Sequence, residues 1–148
     1  MKKKSLFFTL LLIFSSLFSF AQTKNLEKNT KLFSDTIIYN KIWTLQRMNN
    51  HKVKPATPNE KITLIMTSEN EYVSGCSSCN TYVGKVIKKR NKLMFKDIGT
   101  TRMSCPEETL TNERQYLENL NKIDSFQIID EDLYLYSKDK PILVFSKE

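Results

Sequence analysis

The sequence predicts an α+β domain with a strongly bent, mostly antiparallel sheet of about seven or eight short strands and one helix near residues 106–120. Short strand-like runs separated by brief turns recur from residue 42 to residue 145, a pattern typical of β-rich domains. A single segment breaks this pattern with apolar residues at helical spacing. Because only one connection is long enough for the crossover that parallel strands need, antiparallel pairing is favoured.

The predicted strands are apolar or alternating runs bounded by turn residues. Ile62, Leu64 and Met66 alternate with mixed neighbours, which predicts a half-buried strand. The basic stretch 88–92 is predicted to be a hairpin turn, and the Pro-containing stretch 49–59 is predicted to be a loop. The strands are predicted at residues 42–45, 62–67, 71–74, 82–87, 93–95, 125–129, 133–136 and 142–145.

The helix is predicted from its start signals and from its spacing. Pro106 suits a first helical turn, and Glu107 and Glu108 complement the positive end of the helix dipole. The apolar residues that recur at helical spacing are Leu110, Tyr116, Leu117 and Leu120.

Residues 1–21 have the three regions of a cleavable secretory signal. Three lysines at 2–4 precede an apolar run at 6–20, and Ser19 and Ala21 offer small residues before cleavage ahead of Gln22. The alternative, a retained anchor helix, needs about 20 apolar residues, and this run is shorter. No Cys stands at the cleavage point to carry a lipid anchor. We therefore expect a periplasmic or secreted protein of a Gram-negative cell envelope, without stable membrane insertion after cleavage.

The rest of the chain is predicted to be a polar leader at 22–40 and one domain at 41–148. Removing the three signal lysines from the 23 basic residues leaves 20 against 16 acidic ones, a net charge of +4 instead of +7. This mild charge, without a broad basic face that carries stacking aromatic residues, argues against nucleic-acid binding.

One dense basic cluster lies at the predicted hairpin. Its members are Lys85, Lys88, Lys89, Arg90, Lys92 and Lys96. Charge at a hairpin tip protects strand edges, so we interpret the cluster as a solvated turn. The alternative is a patch that binds phosphate or anionic lipid.

The three cysteines carry the reactive chemistry of the domain. Cys76 and Cys79 form a C-x-x-C pair, and Cys105 precedes the predicted helix. A zinc site needs a fourth ligand, and the only imidazole, His51, lies in a predicted loop, so no metal and no other cofactor are expected. A catalytic dithiol needs a helix N-terminus in a βαβ fold, whereas this pair lies between predicted strands. Structural cysteines are favoured, with thiol–disulfide exchange by Cys76 and Cys79 as the alternative.

Two motifs resemble the signatures of the META domain family, which includes HslJ-like bacterial heat-shock proteins. Cys79, Asn80, Tyr82 and Gly84 match a G-C-N-x-Y-x-G-x-Y signature. A second signature, a Thr-x-Met-Ala-Cys segment that leads into a helix, is matched by Thr101, Met103 and Cys105. The chain departs from the family pattern at Ser78, where Gly is usual, at Val86, at Ser104 and by the addition of Cys76.

The resemblance covers residues 41–148 and implies a bent antiparallel sheet with one helix, no established enzymatic activity and no cofactor. It also implies a disulfide between Cys79 and Cys105, because the cysteines of the two family motifs lie close together. Such a crosslink is worth about 3 kcal/mol. Cys76 is then a free thiol, although it could instead compete for Cys105 or pair with Cys79.

For the motif residues, an architectural role is favoured over ligand recognition. Asn80 can satisfy local N–H groups in a turn, Gly84 permits a bulge or a close approach, and Tyr82 is expected to pack with its hydroxyl at the rim. Trp43 is expected in the core. Tyr134 and Tyr136 are expected on one outward strand face.

No nucleophile with a base and an orienting group is assembled, and no Gly-rich phosphate loop is present, so no enzymatic activity is expected. The leading hypothesis is a monomeric, non-enzymatic META-type envelope protein, related to stress, that binds a protein, a peptide or a small envelope molecule. Thiol–disulfide exchange and a small-ligand carrier are the alternatives.

Overall fold

The computed structural model describes residues 37–55 and 60–148. The predicted signal segment and most of the predicted leader lie outside these residues, and the boundaries given to them stay predictions. Ile38–Glu148 form one compact unit. No helix in the described ranges is long and apolar enough to cross a membrane.

Nine strands and one helix lie within the described ranges. They are β1 (Trp43–Met48), β2 (His51–Lys52), β3 (Thr63–Thr67), β4 (Tyr72–Cys76), β5 (Thr81–Lys89), β6 (Lys92–Thr100), α1 (Glu107–Leu120), β7 (Ser125–Ile129), β8 (Asp132–Ser137) and β9 (Lys140–Lys147).

The strands pair in the order β2-β1-β3-β4-β5-β6-β7-β8-β9, and β1 also pairs with β9. This extra pairing closes the sheet into a ring that consists of β1 and all strands from β3 through β9. Every pairing in the ring is antiparallel. Closure removes most free sheet edges. The predicted antiparallel sheet with one helix is therefore confirmed for the residues that the structure describes.

The predicted number of strands, seven or eight, was too low. The additional strand is β2, which lies in the predicted loop 49–59 and pairs with β1 through Arg47–Lys52 and Met48–His51. Asn49 and Asn50 connect the two strands with φ of 48° and 68°. Two central residues with positive φ are typical of a tight hairpin turn, for which Asn is well suited. A strand of two residues carries no readable alternation, and that is why the pattern missed it.

Large side chains from the strands and the helix fill the interior. Those that are almost fully buried are Trp43, Tyr82, Tyr116, Phe145, Ile38, Leu64, Met66, Leu93, Leu120, Leu133, Leu135 and Leu143. Trp43 lies in the core as predicted, and its indole N–H donates to the carbonyl oxygen of Ile38 at 3.0 Å. The Tyr116 ring of α1 packs edge-on against Tyr82 and Phe145, with ring centroids 5.7 Å and 6.4 Å apart. These contacts anchor the helix to β5 and to β9, on two sides of the closed sheet.

The buried face of α1 differs from the apolar residues whose spacing predicted the helix. Leu110 and Leu117 are only half-buried. The buried residues are Thr109, Glu113, Tyr116, Asn119 and Leu120. A helix that buries polar groups needs partners for them. Asn119 Nδ2 has none among the described residues.

Gly75 in β4 is required by a close approach between strands. A Cβ at this position would lie 2.0 Å from the carbonyl oxygen of Thr63 in β3. The same carbonyl oxygen accepts a hydrogen bond from the Tyr82 hydroxyl at 3.0 Å. Any side chain at Gly75 would therefore displace backbone that also carries a part-buried hydrogen bond.

Replacing Gly75 with Ala should lower the free energy of unfolding by about 3 kcal/mol, because overpacking against backbone forces the strands apart. Gly99→Ala is the matched control, since a Cβ there has nothing within 4 Å. Gly is weaker than Ala in a strand by roughly 0.5–1 kcal/mol, so Gly99→Ala should be neutral or mildly stabilising. Urea denaturation measures both, and equal effects would contradict the packing argument.

Candidate functional site

The META-type motif begins in the turn that joins β4 to β5. Ser77 and Asn80 bracket this turn, and the Ser77 N–H donates to the Asn80 carbonyl oxygen at 2.7 Å. Ser78 within it is buried and has a φ of 103°. A non-glycine residue with such a φ is strained. The family pattern has Gly at this position, and the backbone conformation gives the physical reason for that preference.

The Asn80 side chain links the turn to two other segments. Its Oδ1 accepts hydrogen bonds from the Thr101 hydroxyl at 2.9 Å and from the Met103 N–H at 2.8 Å. Its Nδ2 donates to Glu113 Oε1 at 2.8 Å. Asn80 is only 3% exposed, so its amide joins the β4–β5 turn, the segment after β6 and the helix without reaching solvent.

Glu113 is the acceptor on the helix side of this network. Its Oε2 accepts from the Asn80 backbone N–H at 2.8 Å and lies 2.6 Å from the Ser77 hydroxyl. Glu113 is 8% exposed, and no ion pair reaches it within residues 37–55 and 60–148. Hydrogen-bond donors of the turn therefore replace the water that the carboxylate loses on burial.

Glu113 and Ser77 were missed by the sequence reasoning. A Glu in a helix is ordinarily exposed, so composition gives no signal for its burial. Spacing offers one, because Glu113 lies four residues after Thr109, three before Tyr116 and seven before Leu120, on a single stripe of the helix.

A disulfide joins Cys79 and Cys105, with the two Cα atoms 6.1 Å apart. This is the pair that the family resemblance implies. Cys79 directly precedes Asn80, and Cys105 lies two residues before α1 begins. Cys76 is a free thiol, half-buried, with its Sγ 3.7 Å from the Ser78 carbonyl oxygen. Because Cys79 is bonded to Cys105, the dithiol that Cys76 and Cys79 would need for exchange is absent from this state.

Tyr82 differs from its expected place at the rim. It is 1% exposed, and its hydroxyl lies 2.7 Å from the Tyr116 hydroxyl while donating to Thr63. Tyr116 therefore donates to Tyr82, and the two hydroxyls form a short chain that ends on a backbone carbonyl. Burial raises the pKa of both phenols well above the ordinary value, and the neighbouring Tyr116 raises that of Tyr82 further.

The remaining predicted residues take structural or exposed positions. At Gly84 the β5–β6 register shifts, and a Cβ there would lie 2.9 Å from the Lys96 carbonyl oxygen, which fits a bulge with close approach. Met103 contributes its N–H to Asn80 while its side chain is 62% exposed. His51 is exposed, and Tyr134 and Tyr136 are half-buried on β8.

The three side chains at the centre of this network, those of Ser77, Asn80 and Glu113, are buried. Ser77 beside a carboxylate resembles a nucleophile with a base, but Ser77 is fully buried and its hydroxyl also contacts the Asn80 carbonyl oxygen at 2.8 Å. Within the described ranges, no group of three His, Cys, Asp or Glu side chains could hold a metal ion. The polar groups of the motif therefore hydrogen-bond to one another and to Glu113.

An open groove of about 380 Å³ lies beside the helix. One wall comes from the β1–β2 hairpin and the residues after it, and the other from one stripe of α1. The lining residues are Met48, Asn49, His51, Lys52, Val53, Lys54, Glu108, Asn112 and Gln115. This groove is lined by the amide side chains of Asn112 and Gln115 and by the ammonium groups of Lys52 and Lys54.

The fold and the site define a class of protein. Its members have a closed antiparallel sheet and one helix, and a disulfide and a buried carboxylate hold the first sequence motif in place. A family model described as META domain matches residues 36–148, and the chain belongs to the META domain family. The family resemblance of the two sequence motifs is thereby confirmed.

Solved structures resemble this fold. An NMR structure of a protein from Burkholderia xenovorans is 27% identical, with a TM-score of 0.62 over 76% of this chain and 84% of that chain. A second NMR structure is 20% identical, with a TM-score of 0.56 over 74% and 90% of the two chains, and shares the fold. A 5-hydroxytryptamine receptor from Lymnaea stagnalis is 30% identical over 96 residues, 60% of this chain but only 18% of the receptor.

Replacing Glu113 with Gln should destabilise the protein by about 3 kcal/mol, because an amide nitrogen would face hydrogen-bond donors in either orientation. Glu118→Gln is the matched control, since Glu118 lies on the same helix and is exposed. Guanidinium denaturation of both variants measures the difference. A Glu113→Gln variant as stable as the control would show that the network is not what fixes the turn.

Alkaline pH should destabilise the protein through Tyr82 and Tyr116. Their folded pKa values are raised above the unfolded value of about 10, so their contribution is complete below pH 10 and is lost as pH rises beyond it. Each tyrosine should add a slope of about 1.4 kcal/mol per pH unit. Tyr116→Phe should flatten the pH dependence of unfolding, whereas Tyr72→Phe, at a position 52% exposed, should leave it unchanged.

Proposed function

We propose that this META domain protein is exported to the cell envelope and works there as a stress-related, non-enzymatic binding protein for an extended, acidic polypeptide segment. The groove between β2 and α1 is the binding site in this proposal. The family resemblance to bacterial heat-shock proteins supports the stress-related role, and the disulfide is compatible with an oxidising compartment.

The observation that carries the proposal is the position of β2. It stands at one end of the pairing order, outside the closed ring, and among the described residues it pairs with β1 alone. An extended peptide can add to such an edge through backbone hydrogen bonds. Asn112 and Gln115 on the opposite wall can each donate and accept, so they suit a peptide backbone.

Charge favours an acidic segment. Arg47 and Lys52 are direct cross-strand partners, and Lys54 lies two residues further along the same wall. Like charges in direct cross-strand positions destabilise a sheet, and within residues 37–55 and 60–148 no ion pair involves these three cations. Glu108 is the single acidic residue that lines the groove. An acidic partner would relieve the repulsion.

The alternatives have less support. Thiol–disulfide exchange by Cys76 and Cys79 needs both sulfurs, and Cys79 is bonded to Cys105. A carrier with an internal apolar cavity would need space that Trp43 and the aromatic residues around Tyr116 fill. The non-enzymatic role is supported by the closed hydrogen bonding of Asn80 and Glu113, which leaves the motif no group to offer a substrate.

Binding of a fluorescein-labelled peptide of alternating Val and Glu residues, measured by anisotropy, tests the site. Lys52→Gln combined with Lys54→Gln should weaken binding about five- to ten-fold, the equivalent of roughly 1 kcal/mol or slightly more. Lys138→Gln combined with Lys140→Gln is the control and should bind as the unchanged protein does, since both lysines are exposed at the β8–β9 hairpin, Lys138 in the turn and Lys140 at the start of β9.

The proposal can fail in two ways, which separate experiments distinguish. Peptide binding that both variant pairs weaken equally would reflect general charge and would contradict the groove. Recovery of the protein from the cytoplasmic fraction with residues 1–21 still attached would instead contradict export. Mass spectrometry of the N-terminus distinguishes that case from cleavage ahead of Gln22.

A further inference from the structure

The outward face of the β5–β6 hairpin has an unusual arrangement of side chains. The register places Lys85 opposite Lys96, Ile87 opposite Met94 and Lys89 opposite Lys92. Directly opposed residues of an antiparallel pair share a face. All six side chains are exposed, so two lysine pairs bracket an apolar pair that contacts solvent.

Exposed apolar side chains concentrate on this face. Among the described residues seven large hydrophobic side chains are exposed, and four of them lie here. Ile87 and Met94 are each 38% exposed, and Val83 on the same side of β5 is 57% exposed. Tyr72 of β4 is 52% exposed and lies opposite Lys85 of β5, so it extends the face by one strand. Exposed apolar side chains that neighbour one another on one face are typical of interaction surfaces.

The charge of the face is strongly positive. Residues 85–97 contain six cations and one acidic residue, Asp97. Asp97 pairs with Lys85 at 2.9 Å, but both side chains are more than 60% exposed, so the pair is weak. The ammonium groups of Lys89, Lys92 and Lys96 make no ion pair within the described ranges. Opposed lysines on one face repel each other, and an anionic partner would relieve this repulsion.

The alternation of cations and apolar groups favours a lipid surface over a soluble anion. Phosphate would use the lysines and leave Ile87, Met94 and Val83 in water. A nucleic acid would need stacking aromatic side chains, and Tyr72 alone stands at the margin. At a bilayer surface the lysines reach the headgroup phosphates, the apolar groups enter the acyl boundary, and tyrosine is enriched at that depth.

We propose that the β5–β6 hairpin face, defined by Tyr72, Val83, Lys85, Ile87, Lys89, Lys92, Met94 and Lys96, docks the folded protein on an anionic phospholipid bilayer. This attachment is peripheral and leaves the fold unchanged, since every residue involved is already exposed. It does not rest on the groove, which other strands and the helix form.

Flotation with vesicles of phosphatidylcholine containing phosphatidylglycerol tests the proposal, with pure phosphatidylcholine vesicles alongside. The purified oxidised protein should bind the anionic vesicles and release from them as salt is raised. Lys89→Gln with Lys92→Gln should lower the partition coefficient about 25-fold, roughly five-fold for each charge removed. Ile87→Ser with Met94→Ser should lower it about ten-fold, because the inserted apolar area is lost.

Matched controls use other exposed residues of the same types. Lys138→Gln with Lys140→Gln, and Ile129→Ser at a residue 40% exposed, should bind vesicles as the unchanged protein does. Thermal denaturation should give all variants similar melting temperatures. The Lys52→Gln, Lys54→Gln variant should also bind vesicles normally, which separates this proposal from the peptide groove.

Two results would overturn the proposal. One is an absence of binding to anionic vesicles at low salt. The other is vesicle binding that heparin or inorganic phosphate abolishes and that Ile87→Ser with Met94→Ser leaves intact, since this would identify a site for soluble anions.

Discussion

The buried carboxylate of Glu113 is the interaction on which the arrangement of the domain depends. Its hydrogen-bond partners are Ser77 and Asn80, and the Asn80 amide continues the contact to residues 101–103. Removing a carboxylate from water costs several kcal/mol, and only a complete set of donors offsets that cost. The turn, the segment after β6 and the helix must therefore adopt their positions together, because each supplies or requires the hydrogen bonds of the others.

The disulfide constrains the same junction from the outside. Cys79 directly precedes Asn80, and Cys105 directly precedes Pro106 at the helix start. This junction needs reinforcement because β6 and β7, the strands on either side of the helix in sequence, share only the register pair Lys92–Ser125. The crosslink lowers the entropy of the unfolded chain by closing the loop from Cys79 to Cys105, and in the folded protein it ties the start of the segment between β6 and β7 to the turn before β5.

The periodicity of apolar residues correctly predicted the elements whose burial depends on apolar packing alone. It gave no signal for the side chains that are buried through hydrogen bonds. Ile62, Leu64 and Met66 alternate in sequence and are all buried, and the helix occupies nearly its predicted extent. The roles of Glu113 and of the Tyr82 hydroxyl could not be predicted, since a buried polar group is possible only when partners distant in sequence converge on it. Strand β2 was missed because its pairing depends on the turn at Asn49 and Asn50 and not on apolar alternation.

The motif residues hydrogen-bond to one another inside the domain. The groups that remain available to a partner therefore lie on the outer face of the sheet. Three cross-strand cation pairs are exposed there, Arg47–Lys52, Lys85–Lys96 and Lys89–Lys92. Like charges in direct cross-strand positions destabilise a strand pair by a few tenths of a kcal/mol, up to about 1 kcal/mol, and at Lys85 the ion pair with Asp97 offsets part of this. In the two proposed complexes an anionic partner would convert this repulsion into attraction, so the pairs that weaken the isolated domain would favour binding.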